Sequence, residues 1–179
     1  DVCFSSSQKC FGIPPGLAIG SVSAAALEKS SKISDKGWYF DFKLFEKYNK
    51  RLGTPTTPPI PQMMGLKRIL ELIDVWGGKH KYFELYRKRN KRIRDGLHKI
   101  GLSLFPKKSY ESPTVSCVRA PEGLTGIEVY RQMREKGFEL AMGYGDVKEV
   151  TFRIGNMGYI KFNDIDLMLE ALSDVVSGA

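Results

Sequence analysis

The sequence predicts an α/β fold with an α+β arrangement in its last part, and three observations lead to this prediction. Short apolar runs of strand length alternate with longer segments in which apolar residues recur at helical spacing. Two long predicted helices follow each other over residues 61–100, and short strands and helices alternate after them. The length of 179 residues is sufficient for one large domain or two small ones with a buried core.

The composition is that of a soluble globular protein. A hydrophobic content of 42% and a charged content of 27% are ordinary values, and no apolar run is long enough to cross a membrane. Three cysteines, Cys3, Cys10 and Cys117, form an odd set without metal-binding spacing, which favours a reducing compartment, the cytoplasm. A nucleophilic role for Cys10 is not favoured, because no histidine is near it in the sequence.

The first notable stretch is residues 5–16, a run of small, polar and turn-forming residues that contains one lysine, Lys9. We predict strands over residues 2–4 and 17–22, which would bracket this loop within a buried sheet. A lysine there does not lie on a regular helix or strand, so the backbone of the loop is expected to present its amine. Such an amine can form a Schiff base, although an ordinary surface lysine is the simpler interpretation.

The next part of the chain predicts two short helices, one strand and a proline-rich segment. Ser23 is the expected cap of a helix over 24–29, the aromatic residues 38–42 predict a strand, and a helix over 43–49 follows. Residues 53–61 contain too many prolines for a regular helix or an interior strand, so we expect an extended segment that displays its threonine hydroxyls. From composition alone, an interdomain linker is the simplest interpretation.

Two long helices are predicted after this segment. Pro61 is a favourable first residue for a helix that ends before Gly77, and a longer helix then continues to Gly101. Residues 79–99 contain nine Lys or Arg and two acids, which is nearly the whole excess behind the net charge of +8. An apolar stripe runs through the same residues and places the basic side chains on the outer face. We favour a solvated helix face over a nucleic-acid site, since no groove-reading motif accompanies the charge.

The C-terminal part predicts a small α+β domain. Four short strands are expected, over residues 102–105, 114–119, 138–142 and 150–154. A helix over 124–136 should stop at Gly137, and Asn163 is the expected cap of a last helix with an apolar stripe. Helices mixed with strands in this way are expected to pack on one face of a sheet.

Arg153 lies between Phe152 and Ile154 in the last predicted strand. Its aliphatic stem is therefore expected to be in an apolar environment, with the guanidinium group available for bidentate binding of a carboxylate. Considered in isolation, an arginine that forms a salt bridge within the sheet is the simpler interpretation.

Three segments together resemble the class V (fold type I) pyridoxal-phosphate-dependent aminotransferases. The run from Phe4 to Gly16, with Ser-Ser-Gln-Lys followed by Pro-Pro-Gly, resembles the cofactor-lysine segment of that family. Residues 53–61 resemble the Thr-Pro-rich segment that precedes a long helix, and residues 153–158 resemble the Arg-Ile-Gly-x-x-Gly run. The similarity extends to the C-terminus of the chain.

The resemblance implies a fold and a domain organisation. The chain would be the C-terminal part of such an enzyme, with residues 1–60 from the large cofactor domain, 61–101 as connecting helices and 102–179 as the small C-terminal domain. The N-terminal half would be missing, so the chain alone is expected to be inactive. The family also implies a homodimer.

The resemblance implies a role for each site residue. Lys9 would hold pyridoxal 5'-phosphate as a Schiff base, with Gln8 in the phosphate site and Ser7 lining it less directly. Thr57 matches the threonine that reaches the partner subunit's phosphate, and Thr54 occupies a place where some members have tyrosine. Arg153 would bind the substrate α-carboxylate.

Substrates of the alanine–glyoxylate or serine–pyruvate type are expected, that is, a small amino acid and a 2-oxo acid. Asn156 stands where many relatives have histidine. Phosphoserine aminotransferases share the Gln-Lys pair and stay an alternative, whereas cysteine desulfurases carry histidine before the lysine, so Gln8 argues against them. A different class of alternative is a non-enzymatic basic module in which residues 79–99 bind an anionic partner.

Overall fold

A computed structural model describes residues 1–178 of the chain. The chain divides into two compact units, Asp1–Glu71 and a second unit that begins at Leu72. The three-part division into 1–60, 61–101 and 102–179 stays a prediction. Within the described residues, no helix is both long enough and apolar enough to span a membrane.

The first unit opens with a two-stranded antiparallel hairpin, strands β1 (Val2–Ser6) and β2 (Ala18–Val22). The register pairs Val2 with Val22 and Ser6 with Ala18, so the two strands enclose the Lys9 loop as predicted. Most side chains of both strands are exposed, and the expectation that this sheet is buried is wrong for the described chain. Two strands without further neighbours cannot bury both of their faces.

Two short helices follow, α1 (Ala24–Ser31) and α2 (Phe42–Asn49). The Ser23 side chain accepts a hydrogen bond from the Ala26 N–H and caps α1 as predicted, and Asp41 caps α2 by accepting from the Lys43 N–H. The predicted strand over 38–42 is wrong, because its first three residues form an exposed turn and Phe42 already belongs to α2. Their aromatic composition is compatible with a strand, but no neighbouring strand pairs with them among the described residues.

Helix α3 (Ile60–Val75) begins one residue earlier than expected and places Pro61 at its second position. It ends at Val75. Gly77 and Gly78, which follow shortly after it, have positive φ values of 96° and 81°. Helix α4 (Gly78–Lys99) then runs for 22 residues and is followed by Gly101, also at positive φ, as predicted.

The second unit contains an antiparallel three-stranded sheet with the order β3 (Val115–Arg119), β5 (Thr151–Gly155), β4 (Ala141–Met142). Helix α5 (Gly126–Glu135) lies between β3 and β4 in the chain, and α6 (Phe162–Ser177) comes last. Val118, Phe152 and Ile154 share a core with apolar residues of α4, α5 and α6. The helices therefore cover the sheet face that carries these side chains, and the predicted α+β arrangement is confirmed.

Three details of this unit differ from the predictions. The expected strand over 102–105 is reduced to a single bridge between Leu104 and Val118, and the strand over 138–142 to its last two residues. Asn163 does not cap α6, because the helix already begins at Phe162 and the Lys161 N–H donates to the Asp164 carboxylate. The carboxylate of Asp164 thus satisfies the backbone N–H of the residue that precedes the helix.

Candidate active site

The Lys9 loop is a closed turn at the tip of the β1–β2 hairpin. The Lys9 N–H donates to the Ser6 carbonyl at 3.4 Å, and the Lys9 carbonyl accepts from the Gly12 N–H at 2.9 Å. The Lys9 side chain is exposed, as is that of Gln8 beside it. The backbone therefore fixes the position of the lysine while its side chain stays accessible.

Ser7 holds this loop together from the inside, with no exposed surface. Its hydroxyl donates to the Pro14 carbonyl at 2.8 Å and accepts from the Leu17 N–H at 3.3 Å. Its backbone N–H donates to the Leu17 carbonyl at 3.0 Å, and its carbonyl accepts from the Ile13 N–H at 3.3 Å. Four hydrogen bonds at one residue thus tie the two ends of the loop together.

The start of helix α3 packs against the same loop, within the first unit. Gln62 donates from its side-chain amide to the Pro15 carbonyl at 3.1 Å. The Ile13 side chain contacts Gly65, where an added Cβ would lie 3.4 Å from it. Sequence reasoning did not find Gln62 or Gly65, because their role depends on a long-range contact and neither lies in a recognisable motif.

The threonines of the proline-rich segment lie in irregular structure, as expected for residues 53–59. The Thr54 hydroxyl donates to the Thr56 carbonyl at 2.6 Å, which folds the segment locally. Thr57 is exposed, and the structure shows no hydrogen bond to its hydroxyl from any residue between 1 and 178. The Thr57 hydroxyl therefore remains available to an external acceptor or donor.

Arg153 lies in the middle of β5, where Cys117 of β3 and Ala141 of β4 are its cross-strand partners. Its side chain is half-buried and lies on the opposite face of the sheet from Phe152 and Ile154. The Nε group donates to the Met142 carbonyl at 2.8 Å. Over the described residues no carboxylate forms an ion pair with this guanidinium, so its two terminal nitrogens are available to a ligand.

The turn after Arg153 is anchored to α4 by buried polar groups. Asn156 has no exposed surface, and its amide donates to the carbonyls of Tyr86 at 2.9 Å and Pro113 at 3.2 Å. The Gly158 N–H donates to the Tyr86 hydroxyl at 3.2 Å, and Arg89 donates to the Gly158 carbonyl at 3.1 Å. Asn156, which stands where the resemblance places histidine in many relatives, therefore has a structural function in this chain.

The prediction that every basic residue of 79–99 lies on the outer face of α4 is wrong for Arg89, which is 4% exposed. Arg89 falls on the same stripe as Tyr82, Tyr86 and Ile93, so helical spacing could have identified it. Other cations of this helix are paired: Lys81 and Lys88 contact Glu84 at 3.1 and 2.9 Å. Hydrogen bonds from Lys88 and Lys81 lower the pKa of Glu84 to about 2.

The cysteines add little to the site. Burial raises the pKa of the Cys10 thiol, which disfavours the thiolate form that a nucleophile requires. No disulfide joins the three cysteines, and no cluster of potential metal ligands occurs among residues 1–178.

Comparison with known proteins gives relatives and structural neighbours that are similar to this chain. No family-level sequence profile matches the chain. It is 32% identical over 99% of its length to the small subunit of a soluble hydrogenase from Synechococcus sp., covering 46% of that protein. It is 30% identical over its whole length to the alanine–glyoxylate aminotransferase of Drosophila melanogaster, covering 48% of it.

The structure of an alanine–glyoxylate aminotransferase from Nostoc sp. superposes on 98% of the chain with a TM-score of 0.89 at 31% identity. The chain covers 48% of that structure and thus spans about half the length of the relatives it matches.

The homologues and structural neighbours of this chain include class V, fold type I, pyridoxal-phosphate-dependent aminotransferases, and the chain matches their C-terminal portion. Within that class, the named relatives include alanine–glyoxylate and serine–glyoxylate aminotransferases.

Proposed function

We propose that the protein containing this chain is an aminotransferase. It would move an amino group between a small amino acid of the alanine or serine type and a 2-oxo acid of the glyoxylate or pyruvate type. One observation carries the proposal: Lys9 is exposed on a loop that Ser7 closes with four hydrogen bonds. Relatives that are named aminotransferases over nearly the whole chain support the same reaction class.

The cofactor in this proposal is pyridoxal 5'-phosphate, whose ring accepts electrons from the reacting carbon. The groups present fit such a cofactor chemically, because a primary amine, a side-chain amide and a hydroxyl are all exposed in the first unit, on Lys9, Gln8 and Thr57. Lys9 would hold the cofactor through Nζ, and Gln8 would donate to its phosphate. Ser7 would line the site less directly, since its hydroxyl already closes the loop.

Thr57 and Thr54 complete the proposed phosphate site from the partner subunit of a homodimer. The exposed hydroxyl of Thr57 supports a contact outside its own chain. The Thr54 hydroxyl is bonded to the Thr56 carbonyl, so its contribution would be to shape the segment that presents Thr57. We place the enzyme in the cytoplasm, because an odd number of cysteines without metal-binding spacing is typical of a reducing compartment.

Lys9 and Arg153 have separate tasks in the reaction. After the substrate amine replaces Nζ in the bond to the cofactor, the freed amine of Lys9 would take the proton from the substrate Cα and return it two atoms away, in a 1,3-proton shift. Arg153 would bind the substrate α-carboxylate through its terminal nitrogens, because Met142 already occupies Nε. Such positioning lowers the activation free energy of a typical bimolecular reaction by several kcal/mol.

The test is an absorbance measurement on the longest natural form of the protein, since the chain spans about half of its relatives. Addition of pyridoxal phosphate should produce a yellow protein, and borohydride should fix the cofactor covalently to the peptide that contains Lys9. Lys9→Ala should abolish both signals. Lys47→Ala is the matched control, because Lys47 is an exposed helical lysine without an ion pair in the described chain. A colourless protein, or labelling that survives Lys9→Ala, would contradict the proposal.

A further inference from the structure

The cleft beside Arg153 carries more positive charge than a single α-carboxylate requires. A cavity of about 500 Å³ lies in the second unit and is lined by Arg153, Lys148 and Glu139 together with the Met142–Gly145 loop. These three are its charged lining residues within the described chain.

Glu139 is committed to other partners. Its carboxylate accepts from the Tyr130 hydroxyl at 2.7 Å and contacts Arg134 at 3.4 Å. Lys148 forms no ion pair with any residue from 1 to 178, and its acidic neighbours Asp146 and Glu149 do not line the cavity. Two cations without an ion-pair partner in the described chain, and one acid that already has partners, therefore line the cleft.

Hydrogen bonds to the backbone position the Arg153 side chain and the segment that carries Lys148. The Met142 carbonyl accepts from Arg153 Nε and so fixes one edge of the guanidinium, while Arg153 also lines the cavity. The Gly143 N–H donates to the Thr151 carbonyl at 3.1 Å, and the Thr151 hydroxyl donates to the Val147 carbonyl at 2.7 Å. The backbone that carries Lys148 is thus tied to β5, two residues from Arg153.

We propose that this cleft binds dicarboxylic amino or oxo acids, with the α-carboxylate on Arg153 and the distal carboxylate on Lys148. The inference rests on the proposed function for the assignment of Arg153 to the α-carboxylate, and it adds an acidic substrate class to the small neutral one. A second ion pair of this exposed kind increases affinity by a factor of about 1.5 to 5. Neutral small substrates would use Arg153 alone.

Equilibrium binding of unreactive acids tests the proposal without any cofactor. The protein is titrated with succinate, glutarate and butyrate at constant ionic strength, since added salt would screen the charges. Backbone amide shifts of residues 142–148 are followed by NMR. We expect at least one of the two dicarboxylates to bind about two- to fivefold more tightly than butyrate.

Three variants separate the contributions of Lys148 and Arg153 to the binding of these acids. Lys148→Met should remove the preference for the dicarboxylate and leave butyrate binding unchanged, whereas Arg153→Met should weaken all three acids. Lys108→Met is the matched control, because Lys108 is exposed in the same unit but does not line the cavity. Equal affinities for all three acids, or a preference that survives Lys148→Met, would overturn the inference.

The outcome is distinguishable from a failure of the proposed function. The titration does not require Lys9, so a protein that fails to bind pyridoxal phosphate still reports on the cleft. Conversely, a protein that transfers amino groups but shows no dependence on Lys148 would retain the proposed function and lose only the acidic substrate class.

Discussion

Replacement of Ser7 by alanine should loosen the Lys9 loop while leaving the rest of the first unit intact. The substitution removes one hydroxyl that makes two hydrogen bonds, to the Pro14 carbonyl and from the Leu17 N–H. It leaves the backbone bonds of Ser7 in place and creates a cavity of only one oxygen atom. The expected effect is therefore local opening of the loop and not global unfolding.

The magnitude follows from the two lost partners. A typical hydrogen bond contributes about 1 kcal/mol net, and leaving a buried donor or acceptor unsatisfied costs about 1–3 kcal/mol. The Pro14 residue is exposed, so water can replace one of the two bonds. We therefore expect about 2 kcal/mol, which corresponds to a roughly 30-fold increase in the population of the open loop.

Amide hydrogen exchange measures this opening directly. The N–H groups of Leu17, Ser7 and Ile13 are all bonded within the closed loop, and each should exchange roughly 30-fold faster in Ser7→Ala. Ser5→Ala is the control, because Ser5 is an exposed serine of strand β1, two residues before Ser7. Unchanged exchange at Leu17 in Ser7→Ala would refute the assignment of the buried hydroxyl as the closure of the loop.

Two further predictions concern the second unit. Gly126→Ala would place a Cβ 1.9 Å from the Thr151 carbonyl oxygen and should lower the free energy of unfolding by about 3 kcal/mol or more, measured by urea denaturation. In Gly155→Ala the added Cβ would lie 3.7 Å from the Met157 methyl carbon, so the free energy of unfolding should change by less than about 1 kcal/mol. Equal losses of stability in the two variants would contradict the packing argument. The hydrogen bond from Arg92 lowers the pKa of Asp166 in the folded protein. This ion pair therefore stabilises the folded protein at a pH above the pKa that Asp166 has in the unfolded chain, and the stabilisation is lost as the pH falls through the pKa of the folded state. The difference in stability between the wild type and Arg92→Met should be constant above about pH 5 and shrink below about pH 4, and a pH-independent difference would exclude this ion pair as its source.

The helices were the most predictable elements because their signals are local. Ser23 supplies an acceptor for the first turn of α1, and the glycines after α3, α4 and α5 all have positive φ. The strand predictions failed where the sequence only suggested a strand and no partner was available. The bridge at Leu104 and the turn that precedes α2 have suitable side chains, but a strand exists only when another strand pairs with it.

The candidate site was partly predictable for a similar reason. Lys9 and Arg153 lie in compact sequence patterns, so they could be singled out without a structure. The groups that hold them in place are distant in sequence or are backbone atoms: Leu17 bonds Ser7, and the Met142 carbonyl orients Arg153. Such contacts depend on the tertiary fold and leave no periodic signal.

The positive charge of α4 shows why net charge alone is a poor guide to partners. Four of its cations form ion pairs, namely Lys81, Lys88, Lys91 and Arg92. Arg89 is buried, and Arg94 donates to the Ser112 carbonyl. An anionic polymer would have to displace these internal acceptors before it gained the same cations, and each exchange of one ion pair for another contributes little in water. The structure therefore favours the interpretation of α4 as a packing helix with a solvated outer face over the interpretation as a basic binding module.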